Sequence, residues 1–260
     1  MGLIADYKFR TARNALPGFN GVMTWDYAQS GSTTMWIMNC DSASRWGICK
    51  AMAAQWIVDH AYGGSLRNRL TDAKGELDTS QIKMVTANFL ACVRSQGTAT
   101  SEFLFSRGLR ERMASLQREV TRETTVNRQR VTQRTIQYTS DSMAAVGAGN
   151  VAIELTNALR KISNSYVQID FGRPDGIGHA TCAWIGGATY GSSGDAIFFD
   201  PNCGEYWFAR KADFFAWFRF FYQVQYQNSF NGYWAAKQWS LAVGAEKSAY
   251  AKAVRTVVMR

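Results

Sequence analysis

Three side chains spread along this 260-residue chain, Cys49, His179 and Asp200, have the types that nucleophilic attack by a thiol requires. A thiol attacks as its thiolate, and the first turn of a helix favours that form through its free backbone N–H groups and its dipole. Cys49 stands at such a point. GICKAMAAQWIVDH reads as a helix over 47–62, with Ile48, Met52 and Trp56 on one side and Gly63 and Gly64 as its stop signal. The competing reading is a packed core residue, because unpaired cysteine is among the most buried residue types.

A thiolate needs a base, and the chain has only two histidines. His60 lies on the Cys49 helix eleven residues further on, about 16 Å away at 1.5 Å per residue. That is out of reach, and His60 is expected at the helix C-terminus as an imidazolium favoured by the dipole. His179 follows the glycine-rich GRPDGIG and opens a strand, HATCAWIGG, which places it at a sheet edge near a cleft. If that strand pairs antiparallel with AIFFDPN about a turn near residue 190, position 179 faces 201 or so, and Asp200 lands across from His179. Pro201 ends the strand behind Asp200 and limits its backbone. Asp195, in the turn, and Asp175, in the loop before His179, are the weaker rivals.

The elements that must position these residues follow from periodicity. A second helix begins after Asp78, with Ile82, Val85, Phe89 and Val93 as its stripe and Cys92 beside it. A third, about 150–162, starts at Asn150. YVQIDF and EYWFAR alternate as strands on either side of the His179 and Asp200 strands. ADFFAWFRFFYQV, opened by Asp213 as cap, carries seven aromatic residues between Phe214 and Tyr222 and predicts a helix buried against the sheet. Leu109, Met113, Leu116 and Val120 predict a helix with a solvated basic face, and 124–140 predicts a mobile insertion or an edge hairpin. No linker or repeat divides the chain. One α+β domain over 1–260 is expected, with helices packed on a C-terminal antiparallel sheet, 1–40 as an N-terminal extension and 100–140 as a basic insertion.

Composition narrows the classes. Apolar residues make up 47%, ample for a core without covalent staples, and five cysteines without paired spacing are no disulfide framework. A reducing compartment is the better expectation. No apolar run is long enough for a secretory leader or a membrane span, so a soluble chain without stable membrane insertion is expected. The net charge is +9, and from Arg107 to Arg134 eight arginines face three glutamates. No phosphate loop, zinc-finger spacing or RNP motif accompanies them, so no nucleic acid partner is expected. Two distant histidines and no cysteine pair predict no metal site and no cofactor.

GICKAMAAQWI, GHATCAW and FFDPNCGEYWF together resemble the sequence blocks of the YopT/AvrPphB-type bacterial effector cysteine proteases, over about 45–60 and 165–210. The resemblance implies a papain-like fold, with Cys49 as nucleophile, His179 as base and then acid, and Asp200 as the carboxylate that orients the imidazole. It implies hydrolysis of peptide bonds in target-cell proteins through an acyl-enzyme thioester, with the Cys49 N–H in the oxyanion hole. It also implies a secreted virulence effector or toxin, delivered by a leaderless route into the target-cell cytoplasm, with secretion machinery or a chaperone as partner. Papain-like enzymes add an Asn or Gln oxyanion donor five or six residues upstream; this chain has Ser44 and Ala43 there, with Ser44 and Asn39 as the candidate donors. The same thioester would serve a deamidase, transglutaminase or amidase, and a basic binding module without catalysis is the third reading.

Overall fold

The computed structural model describes residues 3–29, 48–92, 99–112, 116–118, 122–126, 129–133, 150–173, 177–187 and 193–241. In chain order the helices are α1 (Leu3–Asn14), α2 (Cys49–Ala61), α3 (Leu66–Leu70), α4 (Thr79–Ala91), α5 (Ala99–Ser106), α6 (Val151–Arg160) and α7 (Lys211–Gln225). The strands are β1 (Gly21–Trp25), β2 (Leu109–Glu111), β3 (Leu116–Arg118), β4 (Arg122–Val126), β5 (Gln129–Gln133), β6 (Ser165–Gly172), β7 (Gly178–Ile185), β8 (Ala196–Asp200), β9 (Gly204–Phe208) and β10 (Tyr233–Leu241). The main sheet runs β1-β9-β8-β7-β6-β10-β2, with β3 also paired to β10, and every pairing in it is antiparallel. Helices followed by an antiparallel sheet make this an α+β fold, as the sequence leads one to expect.

Both faces of the sheet are covered, and this explains why AIFFD reads as an unbroken apolar run rather than an alternation. Phe198 points into one layer with Val167, Ile169 and Phe171 from β6 and the aromatic side chains of α7. Phe199 points into the other, with Ala180, Cys182 and the helix α2. Both phenylalanines are fully buried, and burial of a side chain of that size contributes about 2 to 3 kcal/mol each. Helix α7 inserts Phe214, Trp217, Phe218 and Phe221 into the first layer, so its aromatic density is core packing.

Two local expectations change. Over 107–120 the chain forms strands β2 and β3, not an amphipathic helix: Gly108, at φ +76°, follows the end of α5, and the open edge of β10 then recruits Leu109–Glu111 and Leu116–Arg118. Edge pairing supplies backbone partners that outweigh a short stretch of helical spacing. Met113 and Val120 lie outside the described residues. Asp213 does not cap α7. Arg210 is the extended N-cap residue, and Asp213 sits in the first turn, accepting from Arg210 Nε at 2.7 Å and Nη2 at 2.8 Å. Within 124–140, β4 and β5 form a two-stranded sheet of their own, and residues 134–140 lie outside the described residues. Finally, β1 pairs with β9 as an edge of the main sheet, and β10 is a central partner of β6. Neither carries the strict alternation that would announce a strand.

Candidate active site

Cys49 is the first residue of α2, and no acidic side chain lies in that first turn to offset the positive end of the helix dipole. The helix packs on β7, which presents His179 one residue from its start. The β7–β8 register pairs Cys182 with Phe199 and Ile185 with Ala196, so Asp200, the last residue of β8, arrives beside the opening of β7. The register extrapolates to Asp200 opposite Thr181, two residues from His179 and on the same face, one position off the pairing expected from the sequence. His179 Nε2 donates to Asp200 Oδ1 at 2.8 Å. Asp195, the rival carboxylate, sits in the turn against Gly186, and Asp175 lies outside the described residues.

The imidazole nitrogen left over, Nδ1, is the one available to the sulfur, and Cys49 and His179 are hydrogen-bonded side chain to side chain. Burial pushes the Cys49 thiol up, but the hydrogen bond to His179, the imidazolium charge and the Ala180 N–H outweigh it, and the thiol lies below its ordinary value. Asp170 opposes them with a weaker push upward. For His179 the largest single effect is burial, which lowers it; the charge and hydrogen bond of Asp200, joined by Cys49, overcome that and push it up to about 10. The two shifts run in the directions that favour a thiolate beside an imidazolium. Cys49 keeps 9% exposure, and its chain neighbour Lys50 is exposed, as are Ile177 and Gly178 at the opening of β7.

His60 behaves otherwise than expected. It is neutral in the core, not a helix-end imidazolium: burial alone lowers it to about 3. Its ring stacks on Trp56 at 4.9 Å, and Nδ1 meets the Tyr166 hydroxyl at 2.9 Å. Desolvation of a fully enclosed ring exceeds what a helix terminus returns. Cys182 and Cys203 are buried thiols pushed well above the ordinary value, and Cys92, half-buried, ends α4. Cys40, Ser44, Ala43 and Asn39 lie outside the described residues. Among the described residues no cluster suited to a metal ion occurs.

The structure thus brings a thiol, an imidazole and a carboxylate together, and sequence comparison assigns the lineage. The model of the Peptidase C58 family, described as Yersinia/Haemophilus virulence surface antigen, matches residues 13–242. The chain belongs to that family. Similar C58 relatives include the cysteine protease yopT1 of Yersinia enterocolitica, 25% identical over 214 residues that cover 79% of this chain and 59% of the relative. The cysteine protease YopT of Yersinia pseudotuberculosis is 26% identical over 220 residues, with the same coverage of 79% and 59%. This chain therefore spans about three fifths of the length of those relatives. Among solved structures, the Pseudomonas avirulence protein AvrPphB aligns with a TM-score of 0.46 at 14% identity, over 77% of this chain and 95% of that one.

Several further residues line this candidate site that sequence spacing does not point to. Tyr226, just past α7, donates to Asp200 Oδ2 at 2.8 Å. Asn202 donates its backbone N–H to Asp200 Oδ1 at 2.7 Å, and its side-chain amide stands 3.3 Å from His179 Nε2. Gln29 donates to Asn202 Oδ1 at 2.6 Å. On the other side of the sulfur, Lys50 is raised chiefly by Asp170 and also by Tyr233, whose ring lies across the bare backbone of Gly172 and Gly178. Asn202 had a signal, because Asp-Pro-Asn is turn chemistry directly after the carboxylate. Tyr226 and Gln29 had none, being separated from Asp200 by long stretches of chain.

Proposed function

We propose that this chain is a cysteine endopeptidase of the YopT type in which Cys49 is the nucleophile, His179 the general base and then acid, and Asp200 the group that orients the imidazole. The observation that carries this reading is the contact of His179 with both partners at once: Asp200 on Nε2 at 2.8 Å, and Cys49, at the head of a helix, on the other side. The sulfur attacks the peptide carbonyl, and a tetrahedral oxyanion forms. The Cys49 N–H, at a helix start where no intrahelical acceptor exists, faces that charge. His179 gives its proton to the leaving amine, which departs with the C–N electron pair and leaves a thioester. The same imidazole then takes a proton from water as it attacks the thioester, and the thiolate is released.

Asp200 keeps one tautomer and one ring orientation through both halves, since its carboxylate can only accept from Nε2–H. Family membership supports the further reading of a virulence effector, secreted with the help of secretion machinery or a chaperone, that acts on protein substrates in the cytoplasm of a target cell. The test is labelling of new protein N-termini in target-cell lysate treated with wild type or with Cys49→Ala. New termini with the wild type alone support a protease. Intact substrates carrying a +1 Da change would point to a deamidase, and identical lysates would end the catalytic reading.

A further inference from the structure

Asp200 is fully buried, and its carboxylate is held from three directions. Oδ1 accepts from His179 Nε2 at 2.8 Å and from the Asn202 N–H at 2.7 Å; Oδ2 accepts from the Tyr226 hydroxyl at 2.8 Å. The phenol is itself fixed. Its oxygen receives the Asn202 amide at 3.2 Å, and the oxygen of that amide receives Gln29 Nε2 at 2.6 Å. The Tyr226 ring packs 5.3 Å from the imidazole at 30°, and Phe171 meets the imidazole at 5.5 Å and 66° and Tyr226 at 4.8 Å. Tyr226 therefore touches both members of the acid–imidazole pair, one through its hydroxyl and one through its ring.

We propose that Tyr226 is a positioning residue for the proton-transfer pair: by donating to Oδ2 it takes up part of the Asp200 charge and so sets how tightly His179 holds its proton. This rests on the Cys49, His179 and Asp200 reading above and deepens it. A carboxylate shared among three donors attracts the imidazolium less strongly than one shared between two, because each hydrogen bond to the charged form disperses its charge. The setting matters in both halves of the reaction. An imidazolium held too tightly is slow to protonate the leaving amine, and one held too loosely no longer sustains the thiolate. The other titratable groups that face Asp200 are Cys203 in the adjoining turn, Tyr206 on β9 and Cys182 on β7. All three are pushed upward with burial as the largest cause, so they stay neutral across the working range. Cys49 faces His179 from α2, with Asp170 of β6 beyond it.

The experiment follows alkylation of Cys49 by iodoacetate across pH on the whole chain, read by mass spectrometry of the Cys49 peptide, and so needs no known substrate. Iodoacetate is an anion: the rate rises as the thiolate forms and falls as the imidazolium beside it loses its charge. In Tyr226→Phe the ring stays and the donor goes, and the falling limb is expected to move to higher pH by about one unit, the scale of one charge-assisted hydrogen bond. Tyr222→Phe is the control. It removes another buried hydroxyl of the same region, one that donates to the Phe230 carbonyl at 2.6 Å and does not touch Asp200, and its limbs should match the wild type.

Replacement of Tyr226 by 3,5-difluorotyrosine keeps the shape and strengthens the donor, so the falling limb should move to lower pH; this variant serves even if Tyr226→Phe fails to fold. Limbs that move no further than in Tyr222→Phe, or that stay put with the fluorinated residue, overturn the assignment of Tyr226 while leaving the nucleophile intact. A wild-type profile that rises only as an ordinary thiol titrates, with no falling limb, overturns the thiolate–imidazolium reading and the role of Tyr226 together.

Discussion

Two titratable side chains of identical chemistry part company in this fold. His179 and His60 are both almost wholly buried, yet one is pushed up to about 10 and the other down to about 3. The difference is a carboxylate within hydrogen-bond reach. Asp200→Asn keeps the size and removes the charge, and it should lower peptidase turnover at least a hundredfold, because the amide can present either a donor or an acceptor to Nε2 and no longer stabilises the imidazolium. Turnover on any peptide recovered from the lysate experiment measures it. A second consequence concerns stability. A histidine raised on folding contributes stability that is fully present below its unfolded value near 6.5 and is lost as the pH climbs through about 10. The gap in urea stability between wild type and His179→Ala should therefore narrow from pH 6.5 to 10.

Among the elements, the edge strand β1 depends on a permissive position in its partner strand. Gly204 opens β9 at φ +103°, and a Cβ there would run into the Trp25 carbonyl. Gly204→Ala is expected to cost roughly 2 to 4 kcal/mol, from the left-handed backbone and the collision together, and to loosen the β1–β9 pairing first. Hydrogen exchange at Gly21–Trp25 should accelerate more than exchange in β6 or β7. The site feels this indirectly: Gln29, a few residues past β1, reaches Asn202 and donates its backbone N–H to the Pro201 carbonyl at 2.6 Å. An edge strand thus ties the chain leading toward Cys49 to the turn that carries the carboxylate.

At the scale of the molecule, the sheet is a partition with a core on each side, and the candidate site lies where the two layers meet at the ends of β7 and β8. Cys49 belongs to the layer under α2, whereas Phe171 and Tyr226, against His179, belong to the layer under α7. Loss of packing in the α7 layer should reach the imidazole through Tyr226. Trp217→Ala removes a fully buried ring stacked on Phe221 at 4.7 Å and a hydrogen bond to the Ala12 carbonyl at 3.2 Å. It should destabilise the protein by about 3 to 5 kcal/mol, read as a lower midpoint of chemical denaturation.

Sequence by itself determined the parts whose chemistry is local. The α2 start at Cys49, the stop at Gly63, the Asn150 cap and the pairing of two adjacent strands that brings Asp200 to His179 all rest on spacing over a few tens of residues. The three blocks around the site were also enough to carry the family resemblance. Tertiary structure decided what depends on which surface meets which. It turned Leu109–Glu111 and Leu116–Arg118 of the arginine-rich stretch into strands because β10 offered an open ladder. It made His60 neutral because Trp56, Tyr166 and Trp184 enclose it. It also set Tyr226 and Gln29 around the carboxylate. Desolvation and edge pairing are properties of assembled layers, and no window of sequence contains both partners.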